Sequence, residues 1–274
     1  MPISPTDFDF VRAMVRKESA IALDPGKEYL VESRLTTLAR QLGLVTADQL
    51  IEEVRRKPDN GLRYKIVEAM TTNETSFFRD VAPFDALREH VLPDLIARRA
   101  AQNSLRIWCG AASTGQEPYS LAMLIREHFP ALASWRVEIV ATDISREVLD
   151  RARTGRYSQL EVNRGLPASM LVKYFEKEGI AWRVKAPLRD MVTFREMNLI
   201  GSWTGVDNAD IVMMRNVLIY FDVTIKKQIL ANVRRVLRAD GYFMLGSAES
   251  TMNIDDKYTR VPVGRTSCYQ PLGL

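Results

Sequence analysis

The segment from residue 105 to residue 120 constrains the fold more than any other part of the chain. It reads Leu-Arg-Ile-Trp-Cys-Gly-Ala-Ala-Ser-Thr-Gly-Gln-Glu-Pro-Tyr-Ser, which passes from an apolar strand through a turn of small residues into a helix start. A second apolar strand, residues 137–142, follows and ends on Asp143. This order of strand, glycine-containing turn, helix and acid-terminated strand is typical of domains that bind nucleotide-type cofactors.

The residue types in this segment narrow the choice of cofactor. Small residues in the turn let the backbone approach a ligand, and the Asp143 carboxylate can accept hydrogen bonds from ribose hydroxyls. The first turn of the helix carries an acid, Glu117, where a pyrophosphate needs neutral or positive groups. This argues against NAD and ATP and favours a cofactor with a cationic end. S-adenosylmethionine has one, since it carries an ammonium group and a sulfonium.

Composition and charge exclude several other classes of protein. The 274 residues are 46% hydrophobic and 26% charged, which is ordinary for a globular protein with room for two domains. The net charge is +4, with 38 basic and 34 acidic residues interspersed rather than grouped in a basic stripe. The longest apolar stretch, residues 211–221, is too short to span a bilayer and contains a charged residue. We therefore expect no nucleic-acid partner and no membrane insertion.

The sequence start and the cysteine count predict a cytoplasmic protein. No basic region followed by an apolar region opens the chain, so no signal peptide is expected. The two cysteines, Cys109 and Cys268, lie far apart and are expected to be free thiols. The two histidines, His90 and His128, lie outside the motifs, and we expect no metal site.

Helical periodicity predicts an all-helical N-terminal domain over residues 1–80. Thr46 and Gln49 have the spacing of a capping box, and a turn is predicted over residues 57–61. A linker helix with a kink at Pro93 is predicted over residues 81–104. The clearest apolar stripe consists of Val31, Leu35, Leu38 and Leu42.

From residue 105 to residue 274 strands and helices alternate, which predicts a domain of parallel βαβ units. Residues 155–190 fit this alternation poorly and are predicted to be an insertion. The other predicted elements are strands at 211–214 and 242–246, a helix at 225–237 with a C-cap at Asp240-Gly241, a helix near 170–178, and a closing hairpin at 257–261 and 267–269.

Four clusters of residues follow one another along the chain. They are Asn73-Glu74-Thr75-Ser76-Phe77-Phe78-Arg79, the segment from Cys109 to Ser120, Ala141-Thr142-Asp143-Ile144-Ser145, and Met214-Arg215-Asn216-Val217-Leu218-Ile219-Tyr220-Phe221. Together they resemble the chemotaxis receptor protein-glutamate methyltransferases, the CheR family. The resemblance covers nearly the whole chain, and the run from Thr72 to Arg79 is its most diagnostic part.

The resemblance implies an α/β fold with a class I, Rossmann-like methyltransferase domain that uses S-adenosylmethionine. An all-helical domain would precede it, and a small β-subdomain would be inserted at about residues 155–190. The implied catalytic residues are Arg79 and Tyr220, with Tyr220 facing the methyl group. The implied cofactor-binding residues are Asn73, Thr75, Arg79, Glu117, Asp143, Asn198, Leu199, Arg215 and Asn216.

The resemblance also implies which part of the cofactor each of these residues contacts. Glu117 would hold the methionine ammonium and Asp143 the ribose. Asn198 and Leu199 would flank the adenine. Arg215 and Asn216 would line the pocket beneath the methionine end.

The implied reaction transfers a methyl group to glutamate carboxylates of bacterial chemoreceptors, which gives methyl esters for chemotactic adaptation and S-adenosylhomocysteine as product. A glutamate side chain has a pKa of about 4.3, so it is already an anionic nucleophile at neutral pH and needs no general base. Arg79 would orient the substrate carboxylate through a charge-assisted hydrogen bond.

The implied partner is the cytoplasmic helical bundle of chemoreceptors, which presents an acidic surface to a monomeric enzyme. In some members of the family a receptor C-terminal peptide also binds the inserted subdomain by strand addition. On the N-terminal helices we interpret the polar face around Arg34 as a docking surface. The N-terminal helices as a whole carry several basic residues interleaved with acids: Arg12, Arg16, Lys17, Arg34, Arg40, Arg55 and Arg56.

Two other classes of function stay open on the residues alone. One is a methyltransferase for a different substrate such as nucleic acid, although the Asn/Asp-Pro-Pro-Tyr/Phe motif of amino-group methylases is absent. The other is a non-catalytic adaptor that binds the cofactor, against which the intact Arg79 and Tyr220 argue. Turnover of a labelled methyl donor separates catalyst from adaptor, and the base stability of the label separates an ester from an N-methyl product.

Overall fold

The computed structural model describes residues 3–57 and 61–272, so most of the turn predicted at residues 57–61 lies outside the described residues. The chain forms two compact units. The first comprises Met1–Thr72 with Tyr220–Ile225, and the second comprises Asn73–Ile219 with Lys226–Leu274. The boundary between the units falls between Thr72 and Asn73, at the start of the diagnostic run. Across the described ranges, no helix combines the length and apolar character needed to cross a membrane.

The first unit is helical. Its helices are α1 Pro5–Ser19, α2 Glu28–Gln41, α3 Ala47–Arg56 and α4 Leu62–Met70. The predicted capping box is present at the start of α3, where Thr46 and Gln49 satisfy each other's backbone amides. The predicted apolar stripe of α2 faces the core, where Val31 and Leu35 are fully buried.

Arg34 does not project freely from the polar face of α2. Its Nη1 donates to the carbonyl oxygens of Met70 at 2.7 Å, Thr71 at 2.9 Å and Ala69 at 3.3 Å. Its Nη2 donates to Thr72 Oγ1 at 3.2 Å. The last carbonyls of a helix have no partner within the helix, so Arg34 caps the end of α4. Arg34 therefore has a structural role at the end of α4, and its role in docking a partner stays a prediction.

Replacing Arg34 by alanine should lower the free energy of unfolding by about 1–3 kcal/mol, because partly buried carbonyls lose a charged donor. Urea denaturation of the purified protein measures this. Arg40→Ala, an exposed position on the same helix, is the matched control and should change stability by less than about 0.5 kcal/mol. Equal stability of the two variants would contradict the capping role.

The described part of the second unit, up to residue 272, contains ten strands. They are β1 Ser104–Gly110, β2 Arg136–Asp143, β3 Arg156–Ser158, β4 Phe175–Glu178, β5 Ala181–Val184, β6 Val192–Glu196, β7 Ala209–Met213, β8 Leu237–Met244, β9 Tyr258–Val263 and β10 Thr266–Pro271. Seven form one sheet in the order β6-β2-β1-β7-β8-β10-β9. The first five of these are parallel, and β10 is antiparallel to both its neighbours, which confirms the closing hairpin.

Helices connect the strands of both sheets. They are α5 Ala82–Ala86, α6 Leu92–Arg99, α7 Gln116–His128, α8 Arg146–Thr154, α9 Gln159–Asn163, α10 Ala168–Tyr174, α11 Ala186–Arg189 and α12 Val223–Val236. A π-helical turn, Leu87–Val91, separates α5 from α6, and Pro93 sits in the first turn of α6, where a missing N–H is tolerated.

Two sequence predictions are wrong in detail. Asp240-Gly241 does not cap α12, because the chain passes from Val236 directly into β8 and the pair lies within that strand. The helix expected near 170–178 ends at Tyr174, and the strand β4 takes over from Phe175. In both places pairing with a neighbouring strand overrides the local pattern.

The predicted insertion forms its own sheet in the order β3-β5-β4, with antiparallel pairing. Its aromatic residues Tyr157 and Phe175 pack edge-on against Phe77 of the diagnostic run, with ring centroids 5.0 Å and 5.6 Å apart. Gly165, at φ +87°, passes so close that a Cβ there would lie 2.0 Å from the Phe77 carbonyl oxygen. The inserted sheet therefore supports the segment that leads to Arg79.

Candidate active site

The carboxyl ends of parallel strands bring the predicted cofactor residues to one edge of the large sheet. Strand β1 leads into Glu117, and β2 ends on Asp143. Strand β6 precedes Asn198, and β7 precedes Arg215. In open α/β sheets, ligands bind in the crevice at this edge.

The turn between β1 and α7 has an unusual backbone. Ala111 and Ser113 have left-handed φ values of 56° and 49°, and Gly115 has φ 91°. A Cβ on Gly115 would lie 2.9 Å from the Ala152 Cβ, so this position requires glycine for both conformation and space. Strained backbone of this kind is found where a site must be preorganised, and here it directs the Ser113 amide to Asp143.

Asp143 is held by backbone amides on both sides. Its Oδ2 accepts from Ser113 N at 2.8 Å and its Oδ1 accepts from Ser145 N at 3.0 Å. The residue is 6% exposed. A carboxylate oxygen accepts more than one hydrogen bond, so this fixed carboxylate can also receive ribose hydroxyls.

Arg215 joins two carboxylates. Its side chain is 1% exposed, and Nη1 donates to Glu117 Oε2 at 2.8 Å. Nη2 donates to Asp80 Oδ2 at 2.9 Å and to the Arg79 carbonyl oxygen at 2.8 Å. Burial raises the pKa of Glu117 above its ordinary value, and the Arg215 charge opposes that shift. This bridge ties the first turn of α7 to the end of the diagnostic run.

The diagnostic run lies against the same turn. Ser113 Oγ donates to the Asn73 carbonyl oxygen at 2.8 Å, and Phe78 N donates to Ser120 Oγ at 2.9 Å. Phe78 has a left-handed φ of 46°, and so do Asp80 at 63° and Val81 at 24°. Three such residues in four positions mark a segment that the surrounding structure holds in place.

Thr75 and Arg79 are both half-buried within this run. Arg79 Nη1 donates to the Glu74 carbonyl oxygen at 3.1 Å. The guanidinium has further donors, which suit an incoming carboxylate.

The Asn198 loop begins beside Asp143, whose carbonyl oxygen accepts from Met197 N at 2.9 Å. Asn198 Oδ1 accepts from Ile200 N at 3.2 Å, which closes a tight turn. Leu199 is 7% exposed. The structure thus brings the predicted adenine loop next to the predicted ribose ligand.

Tyr220 is the predicted catalytic residue of the fourth cluster. It belongs to the first unit, where its carbonyl oxygen accepts from Ala22 N at 3.0 Å. Its role at the methyl group therefore stays a prediction.

Comparison with known protein families identifies the cofactor that binds at this edge of the large sheet. The family described as "CheR methyltransferase, SAM binding domain" matches residues 73–266, and "CheR methyltransferase, all-alpha domain" matches residues 6–71. The chain belongs to the CheR family. It is a methyltransferase that depends on S-adenosylmethionine, as its residues and their resemblance predicted.

Relatives of this CheR protein match along nearly its whole length. Chemotaxis protein methyltransferase Cher2 of Pseudomonas putida is 40% identical over 268 residues, which are 96% of this chain and 97% of that protein. Chemotaxis protein methyltransferase 1 of Pseudomonas aeruginosa is 41% identical over 265 residues, 95% of this chain and 96% of its own. A solved structure of the glycopeptide N-methyltransferase MtfA is 19% identical, with a TM-score of 0.34 over 54% of this chain and 47% of that one, too low a similarity to carry an argument.

The residues at this edge fit the cofactor of a CheR protein. Glu117 Oε2 is bonded to Arg215, and no hydrogen bond from the described residues reaches Oε1, which is free to accept an ammonium. Asn216 Oδ1 and Arg215 Nε are buried without a partner among the described residues. Buried polar atoms of this kind are normally satisfied, so a ligand that supplies their partners suits the site.

Two residues of the site were missed by sequence reasoning. Asp80 is the second carboxylate on Arg215, and its only signal was its place directly after the diagnostic run. Glu249 accepts hydrogen bonds from backbone amides after β7 and β8, including Asn216 N at 2.7 Å. Its segment after β8 carried no motif.

Proposed function

We propose that this CheR protein methylates glutamate side chains of bacterial chemoreceptors, forming the methyl esters used in chemotactic adaptation. One observation carries the proposal: Arg215 holds Glu117 and Asp80 together beside Arg79, at the sheet edge where Asp143 ends β2. This gives an acidic pocket for a cationic cofactor next to a basic side chain for an anionic acceptor.

The residues present suffice for this reaction without proton transfer. When bound, S-adenosylmethionine supplies a methyl group on a sulfonium, and the sulfur keeps the electron pair as the methyl–oxygen bond forms. Asp143 fixes the ribose, Glu117 fixes the ammonium, and Arg79 orients the acceptor carboxylate. Well-oriented reactants can lower a barrier by roughly 7–11 kcal/mol. Both histidines, His90 and His128, are exposed, which agrees with a reaction that uses no general base.

The proposed substrate is tested with a soluble receptor cytoplasmic fragment and labelled S-adenosylmethionine. We expect incorporation into a fragment that carries glutamates at the acceptor positions, and none into a matched fragment with glutamines there. A glutamine is neutral and a poor nucleophile, whereas glutamate is ionised at neutral pH. Equal incorporation into both fragments would contradict the proposal.

The receptor bundle is the proposed partner, and the structure narrows the basic residues that can contact it. Four of the seven predicted residues form ion pairs within the first unit: Arg12 with Asp9, Arg16 with Asp222, Arg55 with Asp7, and Arg56 with Glu53. Arg34 caps α4. Lys17 and Arg40 are exposed and have no ion pair in the ranges that the structure covers. These two are the best candidates for an acidic receptor surface.

Reversing the charge at Arg40 should raise the KM for the receptor fragment about three- to tenfold at low salt, as expected for an exposed interface charge. Steady-state kinetics measure this, and S-adenosylhomocysteine affinity should stay unchanged. Arg235→Glu, an exposed arginine of α12, is the matched control. An unchanged KM in Arg40→Glu would remove α2 from the docking surface.

A receptor C-terminal peptide is a second proposed partner. In the inserted sheet β5 is central, so β3 and β4 each present one edge to which a peptide strand can add. We also propose that the protein acts as a monomer in the cytoplasm, without a nucleic-acid partner. Calorimetric titration with a receptor tail peptide tests strand addition, and absence of binding would contradict it.

A further inference from the structure

The carboxylate of Glu249 lies among three backbone amides. Its Oε2 accepts from Asn216 N at 2.7 Å and from Gly246 N at 2.8 Å, and its Oε1 accepts from Ile219 N at 3.3 Å. Within residues 3–57 and 61–272 it forms no ion pair. One carboxylate therefore joins the segment after β7 to the segment after β8 through main-chain contacts alone.

These contacts fix an unfavourable backbone conformation. Asn216 has a left-handed φ of 59°, which asparagine tolerates better than most residues but which still needs support. A Cβ on Gly246 would lie 2.6 Å from Asn216 Nδ2 and 2.8 Å from Glu249 Oε2. Glycine at 246 thus lets both side chains approach the end of β8. The amide of Asn216 is directed at Glu249 rather than at a helix or strand partner.

We propose that Glu249 is a positioning residue for the methyl-transfer site, which holds the turn at Arg215 and Asn216 in the conformation that lines the cofactor pocket. The inference rests on the proposed function and on the resemblance, which implies that Arg215 and Asn216 line the cofactor pocket. Glu249 acts through the backbone. Its bond to Asn216 N lies next to Arg215, and Asn216 Oδ1 and Arg215 Nε are two of the four buried side-chain atoms that lack partners among the described residues.

The negative charge of Glu249 also acts on Glu117, in the candidate cofactor site. Burial is the main cause of the raised pKa of Glu117, and the negative charge of Glu249 adds to it. The two carboxylates are therefore within electrostatic range of each other. This agrees with a location close to the ammonium end of the pocket.

The test compares Glu249→Ala with Glu249→Gln by calorimetric titration of the full chain with S-adenosylhomocysteine. Alanine removes all three acceptor contacts, and we expect the Kd to rise about tenfold or more. Glutamine can keep its oxygen toward Asn216 and Gly246, so we expect its Kd to stay within about threefold of the wild type. A wild-type Kd in Glu249→Ala, or equal losses in both variants, would overturn the inference.

A control separates positioning from loss of stability. Asp255 also accepts a backbone amide, from Lys257 N at 3.0 Å, and forms an ion pair with Arg234. Asp255→Ala should lower the thermal midpoint and leave the Kd unchanged, whereas Glu249→Ala should raise the Kd of the folded protein. If both variants raise the Kd in proportion to lost stability, Glu249 is only a structural residue and the inference fails.

Asn216→Gly separates failure of this inference from failure of the proposed site, because glycine accepts the left-handed φ while losing the amide side chain. We expect it to weaken S-adenosylhomocysteine binding. Weak binding in Asn216→Gly with normal binding in Glu249→Ala would overturn the inference alone. Normal binding in both would also overturn the assignment of this turn to the cofactor pocket.

Discussion

Replacing Asp143 by alanine is expected to raise the Kd for S-adenosylhomocysteine roughly 100-fold or more. The carboxylate is held by Ser113 N and Ser145 N at the carboxyl end of β2, where it can accept two ribose hydroxyls. Removing the carboxylate takes away both hydrogen bonds to the ribose. It also leaves two buried amides without their acceptor, which loosens the turn that leads to Glu117.

Calorimetric titration of the purified protein measures this effect. Asp150→Ala is the matched control, since Asp150 is an exposed acid on α8 that pairs with Arg153 at 2.6 Å. It should bind like the wild type. A wild-type Kd for Asp143→Ala, with the protein folded, would mean that the ligand does not use the end of β2.

The second large effect is expected from Glu117→Gln, which should weaken S-adenosylmethionine binding about 100-fold. The side chains have nearly the same shape, so the change removes the negative charge that faces the ammonium. It also leaves Arg215 with Asp80 as its remaining carboxylate partner among the described residues. Asp150→Ala, the change at the exposed acid of α8, is the control in this assay and should bind S-adenosylmethionine like the wild type.

The pH dependence of binding follows from the same residue. Binding needs Glu117 ionised, so affinity is full above its pKa and is lost as the pH falls through it. Because burial raises that pKa, the loss should begin at a higher pH than for an ordinary glutamate. Glu117→Gln should show a flatter profile over this range. Parallel profiles for the wild type and the variant would contradict the assignment of the ammonium to Glu117.

Much of the site could be predicted because its residues are local to strand ends. Glu117 follows β1 in a short turn and Asp143 ends β2, so the strand–turn–helix pattern already indicates that they share an edge. The pattern says nothing about partners far along the chain. Arg215 and Glu117 are 98 positions apart, and Glu249 and Asn216 are 33 apart. Their pairing depends on the strand order, which the sequence does not display.

Arg34 shows the same limit within the helical unit. Helical periodicity correctly placed Arg34 on the polar face of α2, and an arginine on that face is expected to be exposed to solvent. Its hydrogen-bond partner Met70 lies 36 positions away. Only the packing of α4 against α2 brings those carbonyls within reach. A pattern of apolar residues predicts which face is buried, but not which polar residue caps a neighbouring helix.

Base treatment of the labelled product is the decisive test of whether this protein forms glutamate methyl esters. A receptor cytoplasmic fragment is incubated with the protein and methyl-labelled S-adenosylmethionine, separated from the free donor, and exposed to mild alkali. We predict that the label is released as volatile methanol, because carboxylate esters hydrolyse under these conditions. Label that stays on the fragment would show an N-methyl product, and absence of label would show that the receptor is not the acceptor. Either result would contradict the account.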